Sequence, residues 1–305
     1  MRVEITSDLN LSPQEETMLD MHSFLNIMNV LNTELYLLGD KIDDEIILLP
    51  SLEHCQTIGA SLSDRNQALD SARAVDKTKQ IICDNINAII ITKPDMRDSA
   101  IITTTLENFN SIFDILKVRA REILARLTQG EQWVRYPIDQ LTKNFINVFT
   151  AIELNSKGCY HIVYNIAAQT ANDYLINFNI SSVDKSSILI PAVFQDVMRD
   201  LIANARKYTP RGGTITAGLQ DNGKKIRFVV HDTGKGIPPD EIEQVVQYGQ
   251  RAKNVLNKKT MGGGFGLTKA YYVTKQLSGR MWIDSVIDSG TKIEIEFPRN
   301  AKKFV

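Results

Sequence analysis

Between Asp200 and Leu267 the chain gathers residue types suited to binding phosphate. Asp200, Asn204 and Lys207 fall at i, i+4 and i+7 in Asp200-Leu-Ile-Ala-Asn204-Ala-Arg-Lys207-Tyr208. That spacing sets a carboxylate, an amide and an ammonium on one helix face, while Leu201, Ile202 and Ala205 point towards a core. An apolar run from Ile226 to His231 then delivers Asp232 into the turn Asp232-Thr-Gly234-Lys-Gly236-Ile-Pro238. Its glycines let the backbone approach a ligand closely. A third segment, Met261-Gly262-Gly-Gly264-Phe-Gly266-Leu267, opens a helix whose free N–H groups suit phosphate oxygens. The polar span from Gln247 to Thr260 lies between the last two and is placed to act as a lid.

Each segment alone is a weak signal. A glycine-rich G-x-G-x-x-G string mostly marks a tight turn, and the polar residues before this one exclude a Rossmann strand. No Walker A loop occurs. The order of asparagine helix, D-x-G-x-G and G-x-G-L is more specific, and it resembles the ATP-binding domain of the GHKL superfamily. That superfamily holds sensor histidine kinases, gyrase B, the ninety-kilodalton heat-shock chaperones and the MutL ATPases. The likeness runs from Asp173 to Pro298, and the wording of Asn204–Ile215 and of Asp288–Pro298 is most similar to histidine kinases.

The resemblance implies ATP and Mg²⁺ as cofactors and a role for each residue. Asn204 would ligate Mg²⁺, which keeps several waters and takes few protein ligands. Lys207 would pair with a phosphate as a point charge, and Tyr208 would cover the base. Asp232 would accept the adenine amino group, with Gly234 and Gly236 beside it. Gly262, Gly264 and Gly266, with Leu267, would wrap the phosphates. Asp200 stands where kinases more often carry asparagine and gyrase-type ATPases carry a water-activating glutamate. A carboxylate there serves metal or histidine chemistry, or else hydrolysis. The lid also departs from the kinases, with Val245-Val-Gln-Tyr248-Gly249 in place of a phenylalanine-centred box.

The elements that must position these groups come in two kinds. In the first half, Ser12-Pro13-Gln-Glu15 is a helix start, and Met18, Met21, Leu25, Met28, Leu35 and Leu38 recur at threes and fours as a packing seam. Beside the seam runs a polar line, His22, Asn26, Asn29 and Thr33, which this spacing places on a wet flank. His22-Ser-Phe-Leu-Asn26 resembles the phospho-acceptor motif of histidine kinases, though Ser23 replaces the acid that often follows the histidine, and serine is a poor base. Helical patterns continue over residues 63–91, 98–127 and 139–152. From Cys159 the period shifts: Tyr160–Asn165 and Tyr174–Ile180 read as a hairpin, followed by strands at 214–219, 226–231, 281–286 and 292–297. The fold class is α+β, a helical dimerisation and phospho-acceptor domain over 1–154 and a GHKL-type α/β sandwich over 155–305.

Bulk properties narrow the function further. The 305 residues are 43% hydrophobic and 23% charged with a net charge of −1, so no nucleic-acid footprint stands out. Cys55, Cys83 and Cys159 are odd in number and widely spaced, which argues for a reducing compartment and against a zinc site. No apolar run is long enough to cross a bilayer and no signal-peptide pattern opens the chain, so a soluble, cytoplasmic protein is expected. The resemblance completes that expectation: autophosphorylation of His22, supported by Asn26 and Asp200, then transfer to the receiver domain of a response regulator, by a homodimer that takes its input from a separate sensor protein. The alternative is a GHKL-type ATPase that hydrolyses ATP without a phosphohistidine.

Overall fold

The computed structural model of the protein describes residues 2–96, 99–129, 132–154, 158–257 and 264–299. The chain divides into two compact units, residues 11–130 and residues 1–10 with 131–305. The division near residue 155 expected from the change of period is therefore displaced, and the reason is strand pairing far apart in sequence. Strand β1 (Arg2–Glu4) adds to the C-terminal sheet, and β2 (Trp133–Pro137) pairs antiparallel with a strand at Ser187–Pro191.

The helical unit contains α1 (Pro13–Lys41), α2 (Leu49–Ser61), α3 (Arg65–Arg73), α4 (Val75–Thr92) and α5 (Ala100–Gln129). Ser12 and Glu15 form a reciprocal capping box that sets the start of α1. The expected seam is present: Met21, Met28, Leu35 and Leu38 are buried with Phe24 and Leu31 in one apolar cluster that also holds Ile82, Ile86, Phe109 and Phe113. The single helix anticipated over 63–91 is two helices, broken at Ala74, where the backbone leaves helical geometry.

The remaining elements of the C-terminal unit are α6 (Ile138–Leu154), β3 (Ile162–Val163), β4 (Tyr174–Ser182), β5 (Ser187–Pro191), α7 (Ala192–Tyr208), β6 (Thr214–Asp221), β7 (Lys225–Asp232), α8 (Phe265–Gln276), β8 (Arg280–Val286) and β9 (Gly290–Pro298). Among the described residues, seven strands form one sheet in the order β1-β8-β9-β7-β6-β4-β3. The β6–β7 hairpin turns at Asp221-Asn-Gly223, with Gly223 at φ 84°, as the turn chemistry dictates. The hairpin expected at 160–180 is instead a parallel pair, Ile162 opposite Tyr174. Asp173 causes this by folding the intervening loop back on itself. Its Oδ1 accepts the His161 N–H, and its Oδ2 accepts the N–H and hydroxyl of Thr170. Helices α6, α7 and α8 pack on the sheet, with the rings of Phe194, Phe228 and Phe297 edge to face between α7 and the strands.

The first residues are built into this unit. Tyr271 of α8 donates its hydroxyl to the Ser7 carbonyl at 2.7 Å, and Gln247 donates to Ser7 Oγ and the Asp8 carbonyl. Among the described residues, no helix is long and apolar enough to cross a membrane.

Candidate active site

The end of β7 carries Asp232 into the domain, 8% exposed. Its Oδ1 accepts the Gly234 N–H at 2.8 Å and the Thr291 N–H at 3.3 Å. Burial pushes its carboxyl up to about 6, against those two N–H groups, which favour the ionised form. The glycines around it are needed because backbone lies against backbone. A Cβ at Gly234 would lie 2.6 Å from the Tyr208 carbonyl oxygen, and one at Gly236 (φ 65°) would lie 2.1 Å from that of Val286. Tyr208 also accepts the Lys235 N–H at 3.1 Å, so the end of α7 is fastened to this turn.

Gly290 and Thr291 belong to the same floor, although no sequence reading gave them a role. At Gly290 φ is 111°, and a Cβ would meet the Asp232 carbonyl oxygen at 1.9 Å. Replacing Gly290 with alanine is expected to destabilise the unit by about 3 kcal/mol or more, from backbone strain plus overpacking. Calorimetry should show melting lowered by roughly 6–12 °C. Gly249→Ala, at φ 69° but with nothing within 4 Å of the added atom, should cost far less. Equal melting of the two variants would refute this account of the floor.

The second part of the constellation forms where α7 meets α8. Gly264 caps α8 in the left-handed conformation, φ 83° and ψ 12°. Gly266 lies in the first turn, and a Cβ there would come within 2.6 Å of Asn204 Nδ2. The Asn204 amide thus lies against bare backbone at the positive end of a helix, a cradle only glycine leaves open. These residues fit a nucleotide with Mg²⁺: a half-buried amide oxygen donor for the hard cation, and helix N–H groups for the anion. Leu267 is half-buried and packs against the core. Lys207 holds its ammonium 5.2 Å from the Tyr208 ring centroid. Asp200 lies one turn before Asn204, and its Oδ2 is 3.6 Å from Nζ of Lys269, a buried lysine that the sequence reading did not single out.

Some expected residues stand apart from this constellation. Gly262, and the lid residues 258–260, lie outside the described residues. The described part of the lid is pinned: buried Glu241 accepts the Lys253 N–H at 2.8 Å, and Asn254 donates to the Gly236 carbonyl at 3.0 Å. His22 and Asn26 belong to the helical unit. The Asn26 amide Nδ2 stands 3.1 Å from His22 Nε2. His22 is 6% exposed, so its expected place on a wet flank is corrected; along the polar line only Thr33 is exposed. Spacing places a residue beside a seam, but the width of the buried stripe is set by how many helices surround it.

Comparison with known proteins bears on the C-terminal unit. Residues 191–301 match the family model for histidine kinase-, DNA gyrase B- and HSP90-like ATPases, inside and just beyond the span 173–298 read from sequence. The adaptive-response sensory kinase SasA of Trichormus variabilis is 34% identical over 116 residues, 36% of this chain and 28% of its own length. The sensor histidine kinase WalK of Bacillus subtilis is 33% identical over 104 residues, 33% of this chain and 17% of its own. The chain therefore spans less than a third of either relative in the matched region. The solved histidine kinase AdeS of Acinetobacter baumannii covers 74% of this chain and 98% of its own, at 14% identity and a TM-score of 0.41. Residues 191–301 thus form an ATPase domain of the histidine kinase-, DNA gyrase B- and HSP90-like family, of the type found in sensor histidine kinases.

Proposed function

We propose that the protein is a histidine kinase that phosphorylates its own His22 from ATP and Mg²⁺ and passes the phosphoryl group to a response-regulator aspartate. One observation carries the reading of the site: the Asn204 amide against the bare backbone of Gly266 at the start of α8. With Asp232 buried under the same domain, this gives a place for the base and a place for the phosphates. Asp232 accepts the adenine amino group and so selects the base. The N–H groups at the start of α8 and Lys207 hold the phosphates. Asn204 would hold Mg²⁺, which neutralises charge on the triphosphate.

A ring nitrogen of His22 forms the N–P bond as the bond from the γ-phosphorus to its bridging oxygen breaks, and that electron pair leaves with ADP. Positioning and charge neutralisation carry most of the rate. The helical unit is the proposed homodimer interface, a separate sensor or input protein acts on it, and the receiver domain is a different chain. The reading involves neither nucleic acid nor insertion into a membrane.

A second reading is ATP hydrolysis without phosphohistidine. The carboxylate of Asp200, one turn from Asn204, favours it; the ammonium of Lys269 at 3.6 Å opposes it. The test is incubation of the purified protein with γ-labelled ATP and Mg²⁺. We expect an acid-labile, base-stable label on the protein. Free phosphate with no labelled protein would establish the second reading instead.

A further inference from the structure

Lys269 lies in the second turn of α8 and is 1% exposed. Its Nζ stands 3.6 Å from Asp200 Oδ2 and 3.7 Å from Asp196 Oδ2. Asp196 pairs in addition with Arg199. Lys269 on α8 therefore faces two carboxylates on α7, one of them shared with Arg199. Lys269 Nζ and Asp200 Oδ2 are both sealed from solvent, and among the described residues neither has a hydrogen-bond partner, so the ion pair is what satisfies them.

Taking an ammonium out of water costs several kcal/mol, and apolar residues of similar volume hold two helices together at least as well. A lysine at this place therefore does something other than packing. Asp200 shares the α7 face of Asn204, and both lie against the first turns of α8, at Lys269 and Gly266. Without an ammonium partner, the partly exposed Asp200 carboxylate, one turn from the metal-side amide, is placed to take a proton from water. In that side reaction water oxygen bonds to the γ-phosphorus, its proton passes to Asp200, and the bridging oxygen leaves with ADP. The Lys269 ammonium instead engages that carboxylate in an ion pair and holds it away from the water.

We propose that Lys269 steers the γ-phosphate to protein and away from water, by holding Asp200 in an ion pair across the α7–α8 groove. The proposal rests on the kinase reading above. Lys269 is a positioning residue in this scheme, since it acts through Asp200.

The experiment compares ADP binding, protein label and phosphate release with γ-labelled ATP in the full chain and three variants. In Lys269→Met, phosphate release per bound nucleotide should rise by about tenfold to a hundredfold, the scale of one general base. Adding Asp200→Asn to that variant should return release to the parent level. Lys269→Met/Asp196→Asn, which removes one charge of each sign, should release phosphate as Lys269→Met does and guards against a folding defect. Phosphate release unchanged or lowered in a Lys269 variant that binds ADP normally would overturn the proposal. So would release that persists after Asp200→Asn, or loss of ADP binding in both Lys269→Met and Lys269→Met/Asp196→Asn, which would make the cluster a structural tie. Failure of the kinase reading looks different: the parent protein itself would release phosphate and carry no label.

Discussion

Replacing Asp232 with asparagine is expected to weaken adenine-nucleotide binding by roughly a hundredfold or more while making the empty domain harder to melt. Oδ1 of Asp232 is occupied by the N–H groups of Gly234 and Thr291. An asparagine must keep its oxygen there, so its NH₂ takes the place of Oδ2 and points a donor where the adenine amino group brings another. A donor facing a donor in a buried site costs about 3 kcal/mol, or roughly a hundredfold or more in affinity for ADP, measured by calorimetric titration. Stability should move the other way. The carboxyl is held at about 6 rather than its ordinary 3.8, so between those values the folded protein binds more protons than the unfolded chain. Parent stability therefore falls as pH rises through that window, and asparagine carries no such penalty. The gain in melting temperature should be largest above pH 6 and vanish near pH 4. In the parent, protonation of Asp232 removes the acceptor, so ADP affinity should weaken as pH falls through about 6. An Asp232→Asn variant that binds ADP like the parent would show that this carboxylate does not face the base.

The C-terminal domain was legible in the sequence because its signals are local. Asp232 follows an apolar run, glycines flank it, and Asn204 and Gly266 each lie within a short helix-opening or helix-closing phrase. What local reading missed was set by distant pairing. Arg2 sits opposite Asp284, and Trp133 opposite Pro191; no periodicity near either residue announces its partner. Asp173 gave no sign that it would turn an apparent hairpin into a parallel pair, since Asx-type bonds depend on where the loop goes. Lys269 is instructive in another way. Between Leu267 and Ala270 a lysine reads as surface, and the two aspartates of α7 make its burial tolerable.

Replacing His22 with alanine is expected to reduce acid-labile label to background, a loss of more than about a hundredfold, while ADP affinity stays within about twofold. The second half follows because Asn204, Asp232 and Gly266 all belong to the other unit. The first half has a structural rationale that spacing alone did not supply. The Asn26 Nδ2 stands 3.1 Å from His22 Nε2, and an amide nitrogen is only a donor. With the amide in this orientation, the neutral ring that accepts from it carries its proton on Nδ1. Asn26 thus orients the ring nitrogen that faces it, a role that does not depend on the residue at position 23. The same bond engages the lone pair of that nitrogen, and His22 is buried, so attack requires the ring to leave Asn26 and meet the nucleotide. Asn26→Ala should accordingly keep the label but slow its appearance about tenfold, because the two neutral tautomers would then compete. Undiminished acid-labile label in His22→Ala would move the acceptor to another residue. Undiminished rate in Asn26→Ala would leave the tautomer to be set by something other than this amide.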